Sequence, residues 1–369
     1  MDVKLRFAET PDECKAVFRQ RYEIYVEEMD RYRTVADNEN RLFEEPIDAQ
    51  SRLLLAERDG AEVGTMRWTW GGDGPFPERL ITQYRLEPFL ERYPAETMIV
   101  GERFTVTRPY RGTDTLFQMF CHYLAFANKQ RIQLIFGDCE PHLLNLYLGL
   151  GFRTYSTRNI STAEAGYLIP LVIVAEDIEY MRAISSPLAK VLKDFGDDAR
   201  LPPDIGELIG DGGTVTSERL SESDEYWHVL SDAFSVIGRD RVQIFDDLEE
   251  DRVIALLEKS NVIECRAGDH LLKKGNVAQN MYLILDGAVE VRDRDQLITV
   301  LGPGDLMGEI AFLLQTPRSA DVYALTNNTR LLCLSESNMR KAIDKDPKVA
   351  ATILLNISKM LCEKIVKGN

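Results

Sequence analysis

Histidine, cysteine and positive charge are all in short supply in this chain, and each shortage removes a class of function. The four histidines, His122, His142, His228 and His270, stand far apart, which leaves no imidazole cluster of the kind that holds zinc. Six cysteines (Cys14, Cys121, Cys139, Cys265, Cys333 and Cys362) include no CxxC pair, which argues against a zinc knuckle, a redox motif or a secreted disulfide framework. Buried free thiols are the plainer expectation, and no metal is expected. No stretch approaches the ~18 uninterrupted apolar residues of a membrane span, and the start at Met1 shows no basic head leading into an apolar run. Lysine and arginine number 44 against 60 aspartates and glutamates, a formal charge of -16 whose mean field repels nucleic-acid phosphates and anionic membranes. The expectation is a cytoplasmic protein with no nucleic-acid partner and no membrane span.

What is present is an ordinary globular balance, 44% hydrophobic and 28% charged, over 369 residues, enough for about two domains at ~150 residues each. "KLRFAETPDECKAVFRQR" opens on alternating apolar residues and then sets Thr10, Pro11 and Glu13 as N-cap, first helical residue and capping-box partner, so a helix should start at Pro11. "SRLLLAERDGAEVGTMRWTW" reads as a β-hairpin turning at Asp59-Gly60. A strand at "MIVGERFTV" follows. Beyond "TRPYRGTDT", Leu116, Met119, Phe120, Tyr123, Leu124 and Ala127 recur at helical spacing. "IQLIFGDC", "PHLLNLYLGLG" and "GYLIPLVIV" complete the order as strand, helix and strand. Residues 176–244 are richer in proline, glycine and acids and read as a partly helical linker. From 245 the short runs around "DHLLKKG", "NMYLILDGAVEVRD" and "QLITVLGPGD" have the texture of a compact β-barrel or jelly roll, closed by two helical stretches. The fold class is therefore α+β in two domains, residues 1–175 and 245–369, joined by 176–244.

The stretch "GEIAFLLQTPRSADV", Gly308 to Val322, sets an acid at a helix start and ends the apolar run on a turn with one arginine. Amides at Gly308 to Ala311 can approach an anion, Arg318 can add charge-assisted bonds to it, and Glu309, which only accepts hydrogen bonds, suits a sugar hydroxyl. Spacing alone equally fits a surface ion pair or two solvated side chains. The same residues resemble the phosphate-binding cassette of cyclic nucleotide-binding domains, and the resemblance runs over roughly 245 to 365, including "PGD" before the cassette and "DG" in the earlier hairpin. It implies that Glu309 binds the ribose 2'-hydroxyl, that Arg318 binds the cyclic phosphate, and that the amides of Gly308, Ile310, Ala311 and Ser319 assist. The implied ligand is cyclic AMP or, as the alternative, cyclic GMP. Asp321 departs from the small or neutral residue expected there, and strand alternation would let it share a face with Ser319 and repel the phosphate. The DNA-binding helix-turn-helix that follows this domain in the receptor proteins is not expected here.

The order of elements in the first half resembles the GNAT superfamily of N-acyltransferases. "FTVTRPYRGTDTLFQMF" is similar to that family's strand, donor-phosphate loop and helix, and "LLNLYLGLGFRTY" to its later helix and strand. "RQRYEIYVEEM", "EEPIDAQSRLLLAERDG", "VGTMRW" and "GERFTV" resemble the autoinducer-synthase and N-acyl amino acid synthase branch. The resemblance implies an acyl thioester donor, carried by an acyl carrier protein or coenzyme A, held by Arg108, Arg111, Gly112 and Thr113 with Arg103 facing an acidic carrier. It implies an acceptor, a small amine or amino acid, shaped by Arg21, Asp48 and Arg67. Acyl transfer needs a base for the amine and an acid for the leaving thiolate, and Glu102 and Tyr147 are the candidates. An ion pair of Glu102 with Arg103, and a core position for Tyr147, fit the sequence as well. Two departures stand out. Asp114 replaces the loop's second glycine and disfavours a coenzyme A pyrophosphate, and Val100 stands where the branch has a glutamate. A cyclic-AMP-regulated protein-lysine acetyltransferase, or a non-catalytic sensor with a degenerate acyltransferase fold, are the alternatives.

Overall fold

The computed structural model describes residues 3–156, 158–162, 166–192, 204–210, 215–217, 223–238, 242–257, 260–277 and 280–366. Contacts divide the chain into two units. The first comprises Met1–Cys139, Leu146–Ser156 and Pro170–Asp211, and the second Glu140–Asn145, Thr157–Ile169 and Gly212–Asn369. The units are thus interleaved along the sequence, whereas periodicity alone suggested one uninterrupted domain over 1–175. Within 176–244, helices occupy Ile178–Ala183, Ala189–Leu192, Ile205–Ile209 and Ser223–Ile237. Pro202, Pro203, Gly212 and Gly213, on which the linker expectation rests, lie outside the described residues.

The first unit is built on strands β1 (Lys4–Phe7), β2 (Arg52–Arg58), β3 (Ala61–Trp70), β4 (Met98–Val106), β5 (Leu134–Cys139) and β6 (Arg153–Thr154). β7 (Ile160–Thr162) pairs with the first residues of β8 (Gly166–Val174), a short hairpin that groups with the second unit. The sheet order is β1-β2-β3-β4-β5-β8-β6. The helix Pro11–Arg21 begins as its sequence dictates, with Thr10 accepting from the Glu13 amide and Glu13 accepting from the Thr10 amide. Val17 and Phe18 of that helix pack on Leu53 and Leu55 of β2. The β2–β3 hairpin turns through Asp59 and Gly60 at φ 54° and 80°, the left-handed pair that a two-residue turn between twisted strands requires.

β4 carries the feature that matters for function. It pairs in parallel with β5 only through Met98–Val100 against Leu134–Phe136, and the helix Thr115–Lys129 makes the crossover between them. On its other edge Thr65 of β3 opposes Thr105, yet Arg67 opposes Glu102, so β4 holds one extra residue at Arg103–Phe104. Arg103 sits at φ 53°, an uncommon conformation for a side-chain-bearing residue. Such a bulge leaves one residue of the strand unpaired and re-aims its neighbours. The expected stripe on the crossover helix is buried at Met119, Phe120, Tyr123, Leu124 and Ala127, and Trp68 of β3 stacks on Tyr123 at 4.3 Å between ring centroids.

The second unit contains two antiparallel sheets. One runs β15 (Leu306–Met307), β12 (Asn280–Asp286), β17 (Thr329–Ser335), β10 (Asn261–Cys265) and β9 (Val215–Ser217), and the other β11 (His270–Leu272), β16 (Asp321–Ala324), β13 (Val289–Asp293) and β14 (Gln296–Leu301). This is the jelly-roll texture expected from the short runs and glycine turns. Its core joins Leu230 and Ile237, from the helix Ser223–Ile237, to Met281, Leu283 and Leu332 of the sheet. Ile353, Ile357 and Met360 add the C-terminal helix Pro347–Val366 to the same core.

Candidate functional site

A cavity of about 620 Å³ opens between β14, the segment from Gly302 to Ala311, the turn Arg318 to Ala320 and the C-terminal helix. That is a volume suited to a mononucleotide-sized ligand. The helix Glu309–Leu314 starts at Gly308, whose φ of 78° favours glycine, and a Cβ there would lie 2.3 Å from Arg318 Nη1 and displace the guanidinium. Gln315 closes the helix in the left-handed conformation, and the chain returns through Thr316 and Pro317. Two backbone bonds fix the returning arginine, Arg318 N–H to the Asn276 carbonyl and Gly275 N–H to the Arg318 carbonyl, each 2.8 Å.

Arg318 is 6% exposed, and its guanidinium donates to the Gly308 carbonyl at 2.7 Å and to the carbonyl and side-chain oxygens of Asn280 at 2.5 and 2.8 Å. All of these acceptors are neutral. Burial pulls the guanidinium's pKa below its ordinary value, the mark of a cation that an anionic partner would stabilise. Glu309, 5% exposed, borders the same cavity and accepts from Lys364 Nζ at 2.7 Å. Gly308, Ile310, Ala311 and Ser319 line it too, so every cassette residue picked out in the sequence borders one space. Asn280 and Lys364, which hold Arg318 and Glu309, gave no sequence signal because they are 38 and 55 residues away from those partners.

Residues 262–346 match the family model described as the cyclic nucleotide-binding domain. This segment is a cyclic nucleotide-binding domain. The chain is 23% identical over 126 residues to a CRP-like cAMP-activated global transcriptional regulator of Mycobacterium tuberculosis, covering 33% of this chain and 56% of the regulator. It is 38% identical over 71 residues to a cAMP-dependent protein kinase type II regulatory subunit of Drosophila melanogaster, covering 18% of this chain and 19% of the subunit. The chain therefore spans about half or less of these curated relatives. Among solved structures, a cyclic nucleotide-binding domain from Methylobacillus flagellatus aligns with 24% identity over 35% of this chain and 76% of that one, with a TM-score of 0.33.

One expectation within the domain is corrected. Asp321 does not turn toward the cavity: its Oδ1 contacts His270 Nε2 at 2.9 Å and accepts the Lys274 amide at 3.0 Å, and His270 stacks on Tyr323. The carboxylate is held by His270 and the Lys274 amide and is not among the residues that border the cavity, so Asp321→Ala should leave nucleotide affinity within about twofold of wild type in a calorimetric titration.

In the first unit the structure gathers residues that the sequence assigned to three separate roles. Arg21 donates through Nη1 to both oxygens of Asp48, at 2.9 and 3.0 Å. Arg67 reaches Asp48 at 3.0 Å, Glu45 at 2.7 Å and Glu102 at 2.8 Å. Arg79 donates to both oxygens of Glu102, at 3.0 and 2.9 Å. Arg103 forks onto Glu45 with two bonds of 2.6 Å, reaches the Tyr32 hydroxyl at 2.8 Å and lies 4.5 Å from that ring's centroid. Arg21 and Arg67 are fully buried and Asp48 nearly so, which makes them internal supports rather than the open wall of an acceptor pocket.

Two role assignments change as a result. Arg103 is turned inward by the bulge and is not presented to a carrier. Burial pushes the Glu102 pKa up, but the charges of Arg67, Arg79 and Arg103 outweigh it and hold the carboxylate below its ordinary value, which suits an anchor better than a base. Asp138 at the end of β5 is the opposite case. Burial lifts its pKa to about 6 despite the Tyr84 hydroxyl that donates to it, and Glu102, Arg103 and Arg79 lie within electrostatic reach. Neither Asp138 nor Tyr84 was singled out by a motif. Glu45 had a faint signal, since it precedes Pro46 and its amide bonds Asp48, as at a helix start.

The loop after β4 is exposed at Arg108, Arg111, Gly112, Thr113 and Asp114. Arg111 pairs with Glu28 and donates to the Val106 carbonyl. Asp114 is bonded by Arg58 at 2.8 Å and Gln118 at 2.7 Å, which lower its pKa and partly neutralise the charge expected to repel a donor phosphate. Tyr147 is half-buried, its ring edge-on to Phe120 and Phe152, and Phe120 in turn meets Phe104 of the bulge at 5.1 Å. No helix among the described residues is long and apolar enough to cross a membrane, and no group of three or more His, Cys, Asp or Glu among them could hold a metal.

Proposed function

We propose that the C-terminal domain binds cyclic AMP, with cyclic GMP as the alternative, and thereby controls an N-acyltransferase carried by the first unit. The observation that carries the nucleotide half is a buried arginine, Arg318, whose hydrogen-bond acceptors among the described residues are neutral oxygens and which borders one cavity with the buried acceptor Glu309. Arg318 takes the cyclic phosphate and Glu309 the ribose 2'-hydroxyl. Cyclic AMP comes first because two relatives, the mycobacterial cAMP-activated regulator and the fly cAMP-dependent kinase subunit, are named for it.

The acyltransferase half rests on the bulge in β4, the short parallel pairing of β4 with β5, and the exposed loop at the start of the following helix. In this reading the thioester carbonyl takes a hydrogen bond from the backbone at the bulge, the amine nitrogen attacks the carbonyl carbon, and the carbon–sulfur bond breaks. Asp138 accepts the amine proton and Tyr147 donates one to the departing thiolate. A carrier-protein donor suits the loop better than coenzyme A, since Asp114 keeps a carboxylate beside the helix start. The non-catalytic reading is favoured by one observation, the anchoring of Glu102 between Arg67 and Arg79.

Thioester consumption by the full chain, offered long-chain acyl donors and a panel of small amines, separates the two readings. Turnover should rise with pH through an acid limb near 6, because Asp138 must lose its proton to act as base. Asp138→Asn should remove that turnover and Tyr147→Phe should slow it. No thioester binding at high protein concentration would leave the sensor.

A further inference from the structure

Met360, Glu363 and Lys364 share one face of the helix Pro347–Val366 and border the nucleotide cavity. Lys364 goes further than its neighbours. Its ammonium donates to Glu309 Oε1 at 2.7 Å and to the Leu306 carbonyl at 3.0 Å, which ties the last turn of the C-terminal helix to the carboxylate that reads the ribose. The Glu309 side chain is 7% exposed and that of Lys364 32%, so the pair sits at the cavity edge, shielded on the acid's side and open on the amine's.

We propose that Lys364 is the residue that sets sugar discrimination in this site, because it competes with the ribose 2'-hydroxyl for Glu309 and lets go of the helix end when the hydroxyl wins. The inference rests on the nucleotide reading of the cavity. Glu309 can only accept hydrogen bonds, and an ammonium on one of its oxygens draws down the negative charge available to a second donor. A 2'-hydroxyl therefore gains less from Glu309 while Lys364 is in place than it would from the free carboxylate. A 2'-deoxy nucleotide makes no claim on Glu309 and leaves the pair undisturbed. The contact thus lowers the ribose preference and links occupancy by a ribonucleotide, but not a deoxyribonucleotide, to release of the helix.

Affinities of the full-length protein for cyclic AMP and 2'-deoxy cyclic AMP, with hydrogen exchange of the C-terminal helix in parallel, test this. Lys364→Met should raise the ratio of the two affinities about fivefold, the gain of a hydroxyl bonded to a carboxylate no longer shared with an ammonium, by tightening cyclic AMP alone. Lys364→Arg, which keeps the charge, should hold the ratio near wild type. Without nucleotide, Lys364→Met should speed exchange in the last two turns of the helix, and in wild type cyclic AMP should do the same while the deoxy analogue does not. An unchanged ratio in Lys364→Met, weaker binding of both nucleotides, or unaltered helix exchange would overturn the competition while leaving the nucleotide site intact. Failure of wild type to bind cyclic AMP at all would remove the reading of the cavity and this inference together.

Discussion

Arg318→Ala should abolish most cyclic AMP binding while the second unit stays folded. The guanidinium is buried, and its partners are carbonyl and amide oxygens that cannot neutralise a cyclic phosphate. Removing the charged partner of a buried anion costs ~2 to 5 kcal/mol, more than a tenfold loss of affinity even at the low end. The side chain also satisfies the Gly308 and Asn280 oxygens, so part of its loss falls on the architecture of the turn. Arg318→Lys separates the two contributions, because it retains the charge and gives up the planar fork. Binding by Arg318→Lys should lie between wild type and alanine. Equal affinity in wild type and Arg318→Ala would remove the cyclic phosphate from this site.

The second large effect belongs to the first unit. Asp48→Ala should destabilise it by roughly 3 to 5 kcal/mol, the cost of leaving buried charges without their partner. Arg21 depends on Asp48 for its two side-chain hydrogen bonds, and its Nε and Nη2 are buried with no acceptor among the described residues. Arg67 loses one of three carboxylate partners in the same step. Thermal or denaturant unfolding reads the change, at about 2 to 4 °C per kcal/mol for a domain of this size. A loss under about 1 kcal/mol would mean that water replaces the carboxylate and that the network is less closed than it looks. The pH dependence follows from the same network. Burial opposes ionisation of Glu45 and Glu102, yet their arginines hold both pKa values below the ordinary carboxylate range. Their contribution is therefore present above the unfolded value near ~4 and is lost as pH falls below it.

The two halves of the chain differ in how much their sequence reveals. In the C-terminal domain the candidate ligand groups sit within one short segment, Gly308 to Ser319, and local turn chemistry fixes their relation: a left-handed glycine starts the helix, a left-handed Gln315 ends it, and Arg318 returns to the start. Such a cassette is legible because its geometry is local. The residues that local pattern does not reveal come from far along the chain, Asn280 beside Arg318 and Lys364 beside Glu309. Strand alternation misplaced Asp321, since it says which side of the sheet a residue takes but not that His270 and the Lys274 amide wait there.

In the first unit the hairpin at Asp59-Gly60, the capped helix at Pro11 and the amphipathic helix after β4 follow from local pattern. The charge network does not. Arg21, Glu45, Asp48, Arg67, Arg79, Glu102 and Arg103 come from five separate elements, Glu45 as the cap of the turn that carries Asp48, and no periodicity relates them. The bulge at Arg103 is equally silent in "GERFTV", because the extra residue appears only when β4 is laid against β3. That single insertion turns Arg103 inward onto Glu45 and so decides the role of a residue the sequence had placed at the surface.

The central claim is that nucleotide in the C-terminal domain controls chemistry in the first unit, and a ligand can do so only through different affinities for two states. Acyl-thioester consumption by the full-length protein, measured with and without saturating cyclic AMP and repeated with Arg318→Ala, tests it most directly. The predicted result is a rate that changes with cyclic AMP in wild type and does not respond in Arg318→Ala. Turnover that is identical with and without nucleotide, in wild-type protein shown by calorimetry to be saturated, would contradict it.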